Sequence, residues 1–76
     1  MDENNMVVTS ELTGVVLEVL VTAGSQVQAG DALLLIESMK MEFPVAAPVD
    51  GTVLSVAVAA QDAIAEGEML VLLQRG

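Results

Sequence analysis

The chain has 76 residues, 11 acidic side chains against 2 basic ones, and a formal net charge of −9. It contains no cysteine and no histidine, which excludes a disulfide framework, the usual zinc sites and Ser-His-Asp or Cys-His nucleophilic catalysis. The charge disfavours nucleic acid and anionic membrane surfaces as partners. No apolar run approaches the roughly 18 residues of a membrane-spanning helix. We therefore expect one small domain with no nucleic-acid or membrane partner.

The first five residues, Met-Asp-Glu-Asn-Asn, are acidic and polar. A secretory signal peptide begins with a basic segment, so this start is typical of a cytoplasmic protein. We expect residues 1–5 to form a short polar tail and residues 6–76 to form the domain.

The first β-prone segment along the chain is Val15–Thr22. Its residues are largely β-branched, and the alternating set Leu17, Val19 and Val21 predicts the face that contacts the core. Turn residues follow, and then comes the run Leu33–Ile36. Because this run is apolar on both faces, it predicts a strand in the middle of the core.

The middle of the chain predicts a β-hairpin. Residues 37–42 (ESMKME) separate the run Leu33–Ile36 from a second β-prone stretch, Phe43–Ala46, and place Met39 and Lys40 at the tip. Both central residues of a tight two-residue hairpin take positive φ, which normally favours Asn-Gly. A Met-Lys pair costs steric energy in that geometry. A locally unfavourable turn in an otherwise consistent sequence indicates a functional site.

The second half of the chain repeats the first. With a shift of 37 residues, segments 12–38 and 49–75 align with nine identical pairs among 27, against roughly three expected from the composition. The identical pairs are Gly14/Gly51, Val16/Val53, Leu17/Leu54, Val19/Val56, Val21/Val58, Ala23/Ala60, Gly30/Gly67, Leu33/Leu70 and Leu35/Leu72. This repeat predicts an all-β fold with two equivalent halves around the hairpin.

The repeat also transfers the strand assignments to the second half. Leu54, Val56 and Val58 are predicted to face the core, and Leu70–Leu73 is predicted to be buried like its counterpart in the first half. One turn is expected to differ in backbone conformation, because Gln61 stands where the first half has a glycine.

At the hairpin the sequence resembles a known family. Residues 37–42 are similar to the E-A-M-K-M signature of biotinyl domains, the carrier modules of biotin-dependent carboxylases, with Ser38 in place of the more usual Ala. The resemblance extends over residues 6–75 and includes Pro44–Val53 and Val27–Asp31. No insertion between Gly14 and the hairpin resembles the protruding thumb of one bacterial acetyl-CoA carboxylase carrier. The similarity is therefore to thumbless carriers, as a domain or as a stand-alone attachment protein.

The resemblance implies a flattened barrel-sandwich of two four-stranded antiparallel sheets, with the modified lysine on a protruding β-hairpin. It implies that a biotin protein ligase joins biotin to Lys40 through an amide bond, which removes the positive charge. It further implies that the arm carries a carboxyl group between a biotin carboxylase and a carboxyltransferase. Such a carrier needs no catalytic residue of its own, so we do not expect an enzyme.

The resemblance also assigns roles to the neighbours of Lys40. Met39 and Met41 correspond to flanking residues that the ligase recognises and that separate biotinylation from lipoylation. Glu37, Ser38 and Glu42 complete the hairpin with a weaker expected role. For the two glutamates, a solvated position at a strand end is the simpler interpretation.

Two alternative functions share the expected fold. A lipoyl carrier of a 2-oxoacid dehydrogenase also has a hairpin lysine, but its motif is typically D-K-A rather than M-K-M. An unmodified barrel-sandwich domain would serve only in structure or interaction. The acceptor of the carboxyl group is not specified by the motif, since carriers for acetyl-CoA, propionyl-CoA, pyruvate and urea are similar.

Overall fold

The computed structural model describes residues 4–76, which form eight strands and no helix. In chain order the strands are β1 (Asn5–Thr9), β2 (Gly14–Val19), β3 (Gln26–Val27), β4 (Ala32–Ser38), β5 (Met41–Ala46), β6 (Gly51–Val56), β7 (Ala63–Ile64) and β8 (Met69–Arg75). They make two four-stranded antiparallel sheets with the orders β1-β8-β6-β3 and β5-β4-β2-β7. The predicted all-β sandwich of two four-stranded sheets is confirmed.

The start of the chain is only partly described. Residues 1–3 of the expected polar tail lie outside the described residues, and Asn5, the last residue of that tail, is the first residue of β1. Within residues 4–76, nothing forms a helix with the length and apolar character needed to cross a membrane.

The 37-residue repeat of the sequence is also a repeat of the structure. β1 to β4 and β5 to β8 follow one another in the same order, and the two sheets correspond when each strand is exchanged for its counterpart. Each sheet contains two strands from each half, because β2 and β4 lie with β5 and β7. Neither half therefore builds a complete sheet alone.

The predicted core-facing set is corrected at one position in each half. β2 has a bulge between Val16 and Glu18, and β6 has one between Val53 and Ser55. A bulge inserts one extra residue and moves the side chains that precede it to the opposite face. Val16 and Val53 are therefore fully buried in place of the predicted leucines Leu17 and Leu54, of which Leu54 is 38% exposed. The other predicted residues, Val19, Val21, Val56 and Val58, pack against the core.

The apolar runs Leu33–Ile36 and Leu70–Leu73 are buried as predicted, but for a different reason. Each run lies in an interior strand of a two-layer structure, so only one face is fully covered. The register of β4 against β5 shifts between Ala32 and Leu34, and the register of β8 against β1 shifts between Met69 and Val71. Each shift lets two consecutive side chains point inward. Three residues of each run are fully buried, and the fourth is half-buried.

The core is built largely from repeat-equivalent pairs. In five pairs of residues that lie 37 positions apart, both members are buried: Val16/Val53, Val27/Ile64, Leu33/Leu70, Leu34/Val71 and Ile36/Leu73. Ser10, which corresponds to Ala47, is the buried polar residue among residues 4–76, and its hydroxyl donates a 2.6 Å hydrogen bond to the carbonyl of Leu12. A buried hydroxyl without a hydrogen-bond partner is destabilising, so this bond allows Ser10 to lie in an apolar core.

The expectation that the Gln61 turn differs from its counterpart is wrong. Gln61 has φ of 77° and Gly24 has φ of 96°, so both occupy the left-handed region. Both amides also donate an equivalent 2.7 Å bond, from Gly24 to the carbonyl of Val53 and from Gln61 to that of Val16. The tertiary hydrogen bond thus holds a non-glycine residue in a conformation that costs about 1–2 kcal/mol.

These two turns give a matched test of backbone strain. We expect Gly24→Ala to lower the free energy of unfolding by about 1–2 kcal/mol, because an L-residue is strained at positive φ while its Cβ would meet nothing within 4 Å. Gln61→Ala changes an exposed side chain at the same φ and should leave stability within about 0.5 kcal/mol. Urea unfolding measures both variants, and equal losses at the two positions would contradict the explanation.

Candidate functional site

The predicted hairpin joins β4 to β5. Ser38 pairs with Met41 across the two strands, which leaves Met39 and Lys40 as the two residues of the turn. Their φ angles are 55° and 66°, so both are left-handed, as a tight two-residue hairpin requires. The predicted position and backbone strain of the tip are confirmed.

The base of the hairpin is fixed to the body of the domain. Ile36 pairs with Phe43 and is fully buried, which anchors the two strands in the core. The Ser38 hydroxyl donates a 2.9 Å hydrogen bond to the carbonyl of Thr13, so the loop before β2 braces the end of β4. The usual alanine lacks this donor. Gly14, next in the chain, lies so close to the Glu37 carbonyl that no Cβ fits between them.

The tip of the hairpin is exposed to solvent. Lys40 is exposed, Met39 is 91% exposed and Met41 is 59% exposed. These are the two most exposed large hydrophobic side chains among the described residues, and they lie on either side of Lys40. Lys40 is the one lysine of the chain. The turn places it between Met39 and Met41, at the end of a hairpin whose base is anchored to the domain.

Glu37 and Glu42 lie directly opposite each other, one pair below the Ser38–Met41 pair. Both side chains are exposed, which agrees with the simpler interpretation of solvated strand ends. Like charges at directly opposed positions destabilise a sheet by a fraction of a kcal/mol. The structure thus brings all six predicted residues onto one hairpin, with two carboxylates at its base.

Two further acidic residues that sequence reasoning missed lie near the hairpin. The backbone amide of Glu66 donates a 3.3 Å bond to the Thr13 hydroxyl, and Thr13 in turn accepts the Ser38 bond. Glu11 lies in the loop that packs against residues 67–68, because the preceding residue, Ser10, forms two backbone hydrogen bonds with that segment. We call the hairpin tip with loops 10–13 and 65–68 the lysine end.

The opposite end of the domain is the equivalent surface under the repeat. Four glutamates on the hairpin side have neutral counterparts at this opposite end: Glu11 corresponds to Pro48, Glu37 to Gln74, Glu42 to Asn5 and Glu66 to Ala29. Glu68 does not share this asymmetry, because it corresponds to Asp31 and both carboxylates accept a backbone hydrogen bond in their own loops. Four carboxylates of the lysine end and hairpin base thus lack a counterpart, whereas one carboxylate of the opposite end, Asp50, has a neutral counterpart in Thr13.

The chemistry available at the tip is that of an accessible primary amine. A neutral lysine amine is a nucleophile toward an activated acyl group and forms an amide. The hairpin holds this amine away from the core on a fixed base, so an attached group would extend into solvent. Fold and site together are those of a carrier domain, in which a rigid body presents one accessible amine at a hairpin tip.

The comparison with known families agrees with this class. The family model described as "Biotin-requiring enzyme" matches residues 4–73. The chain belongs to this family, and the predicted resemblance and its biotin cofactor are confirmed.

Individual relatives give the same assignment. The chain is 46% identical over 66 residues to the "Biotinylated protein TB7.3 homolog" of Mycobacterium leprae, covering 87% of this chain and 93% of that protein. It is 43% identical over 63 residues to the "Biotin-dependent acyl-coenzyme A carboxylase alpha3 subunit" of the same organism, covering 83% of this chain but only 10% of that protein. The predicted similarity to carboxylase carrier domains is confirmed.

Solved structures share the fold over the whole chain. A single-chain, multi-domain long-chain acyl-CoA carboxylase matches with a TM-score of 0.92 and 28% identity, covering 100% of this chain and 8% of that one. The chain thus corresponds to one small part of that large enzyme.

Proposed function

We propose that Lys40 is the site of covalent biotin attachment and that the domain is a biotin carboxyl carrier. The observation that carries this proposal is the amine-bearing tip itself, where Met39 and Lys40 both hold positive φ at the end of an anchored hairpin. A non-glycine pair in that conformation is unfavourable for stability, so its presence favours a functional reason. The family's requirement for biotin supplies that reason.

The residues present fit the group. Biotin contributes a ureido nitrogen that accepts a carboxyl group at one active site and releases it at another. The chain contributes the Lys40 amine for the amide bond, and the Ser38 and Gly14 contacts that keep the hairpin base in place. Tethering keeps the reactive end of the arm at a high local concentration near both partner sites. The proposed carrier supplies no catalytic side chain.

The neighbours of Lys40 take supporting roles in this proposal. Met39 and Met41 present flexible apolar side chains to the ligase, which suits a surface that must fit more than one partner. Ser38 positions the strand that leads into the turn. Glu37 and Glu42 add negative charge below the tip.

The proposed partners are a biotin protein ligase, a biotin carboxylase and a carboxyltransferase. Each must approach Lys40, and therefore meets the acidic lysine end. Carboxylates concentrated at one end of a repeated fold favour an electrostatic role in docking to basic surfaces over a role in solubility alone. We place this carrier in the cytoplasm, in keeping with a small domain without the disulfides that are typical of secreted ones.

The direct test is intact mass after reaction with a biotin protein ligase, ATP and biotin. We expect the gain of one biotinoyl group per chain and peptide mapping to Lys40. A lipoyl increment from a lipoate ligase, with no biotinoyl gain, would favour the lipoyl carrier. No increment with either ligase would favour an unmodified interaction domain.

Docking through the lysine end predicts a salt effect on biotinylation. We expect the double variant Glu11→Gln/Glu66→Gln to raise the ligase KM about twofold or more at low salt, because both residues belong to the loops of the lysine end, and the difference should vanish at high salt. Glu18→Gln is the matched control, since Glu18 is an exposed carboxylate on β2 outside the lysine end. Steady-state kinetics at two salt concentrations decide the point. Because Glu18→Gln removes one charge and the double variant removes two, half of the double variant's effect in Glu18→Gln would show that net charge alone matters.

A further inference from the structure

Methionine exposure is unevenly distributed in this protein. Met39 is 91% exposed and Met41 is 59% exposed, whereas Met69 in β8 is 41% exposed and Met6 in β1 is half-buried. The two most accessible of these thioethers therefore flank the one lysine of the chain. Solvent access largely controls how fast an oxidant reaches a thioether sulfur.

We propose that Met39 is a redox modification site whose oxidation to the sulfoxide blocks loading of Lys40. The oxidant class is a peroxide. The sulfur lone pair attacks one oxygen of hydrogen peroxide, an S–O bond forms and the O–O bond breaks. The proton on the transferred oxygen passes to the departing hydroxide, which leaves as water. Sulfur loses two electrons and the peroxide gains them, so no further reactant is needed.

The consequence follows from the geometry of the turn. Met39 directly precedes Lys40, and both backbone φ angles are fixed in the left-handed region. The turn therefore fixes the Met39 Cβ directly beside Lys40, so the altered side chain remains within reach of an enzyme that binds Lys40. A sulfoxide replaces a flexible apolar group with a polar, chiral one, and covering it without a hydrogen-bond partner carries a desolvation cost.

The fold itself should tolerate the same change. The Met39 side chain is almost wholly in solvent and belongs to no buried cluster among residues 4–76. A polar oxygen there displaces no core contact. Oxidation should therefore alter recognition and leave the free energy of unfolding unchanged, which separates this site from general oxidative damage.

The inference rests on the proposed function, and one experiment distinguishes the two. The unloaded protein is treated with hydrogen peroxide, the peroxide is removed with catalase, and peptide mass spectrometry follows each methionine before biotin ligase is added. We expect Met39 to oxidise ahead of Met69, and the initial rate of biotinylation to fall about tenfold, as for burying one unpaired polar group. Methionine sulfoxide reductases A and B should restore the rate.

Matched variants locate the effect. Met39→Leu should retain a larger share of its own initial rate after peroxide treatment than the unchanged protein does, whereas Met41→Leu and Met69→Leu should lose rate nearly as the unchanged protein does. Unaltered loading of a protein oxidised at Met39, or equal peroxide sensitivity of Met39→Leu, would overturn the inference. Failure of the untreated protein to take up biotin would instead contradict the proposed function.

Discussion

Lys40→Arg should abolish biotin attachment completely, while the unchanged protein gains one biotinoyl group under the same conditions. The guanidinium keeps the charge and most of the length of the side chain, but it stays protonated at neutral pH and is a poor nucleophile. The tip is exposed, so the substitution removes no packing, and thermal unfolding should be unchanged. Intact mass spectrometry measures the increment. A biotinoyl gain by Lys40→Arg would disprove attachment at this residue.

A second variant tests whether the hairpin, and not merely a lysine, is required. Lys40→Arg/Arg75→Lys keeps the composition and the net charge but moves the lysine to the exposed end of β8, where Arg75 is the repeat equivalent of Ser38. We expect no biotinoyl gain, because this position lies in a strand at the opposite end of the domain. Labelling of the moved lysine would show that the ligase accepts any exposed amine.

Gly14→Ala should cause the largest loss of stability among single methyl additions near the site, about 3 kcal/mol. Its Cβ would overlap the carbonyl oxygen of Glu37 and also approach the Ile36 side chain at 3.0 Å. The obstructing atom belongs to backbone in the β2–β4 ladder, where Val15 pairs with Glu37, so no rotamer change relieves the contact. Either the ladder opens or β4 moves, and β4 leads directly into the hairpin. Urea unfolding gives the change in free energy.

The repeat provides the control for this prediction. Gly51 is the equivalent residue, and its Cβ would overlap the carbonyl oxygen of Gln74 at the opposite end. Gly51→Ala should lose a similar amount of stability, but it leaves the hairpin base unchanged. Under conditions where both variants are folded by circular dichroism, only Gly14→Ala should show slower biotinylation. Equal rates would mean that the hairpin geometry does not limit recognition.

Much of the candidate site could be predicted from local sequence, because a hairpin is a local structure. The tip position follows from the two flanking β-prone runs, and the strain at Met39 and Lys40 follows from the geometry of a two-residue turn. Glu11 and Glu66 could not be found in this way. They lie far from the hairpin along the chain, and only tertiary hydrogen bonds bring their loops to it: Thr13 bonds both to Glu66 and to Ser38, and Ser10 bonds to residues 67–68.

The sequence by itself determined the duplication, the strands that became β2, β4, β5, β6 and β8, and the lysine between the two halves, since identity at a fixed spacing reports repeated structure directly. The tertiary structure decided which of two neighbouring apolar residues enters the core. Alternation assumes a regular strand, whereas one extra residue at Leu17 and Leu54 moves burial to Val16 and Val53. It also decided the backbone of Gln61, because a long-range hydrogen bond to Val16 outweighs local steric preference.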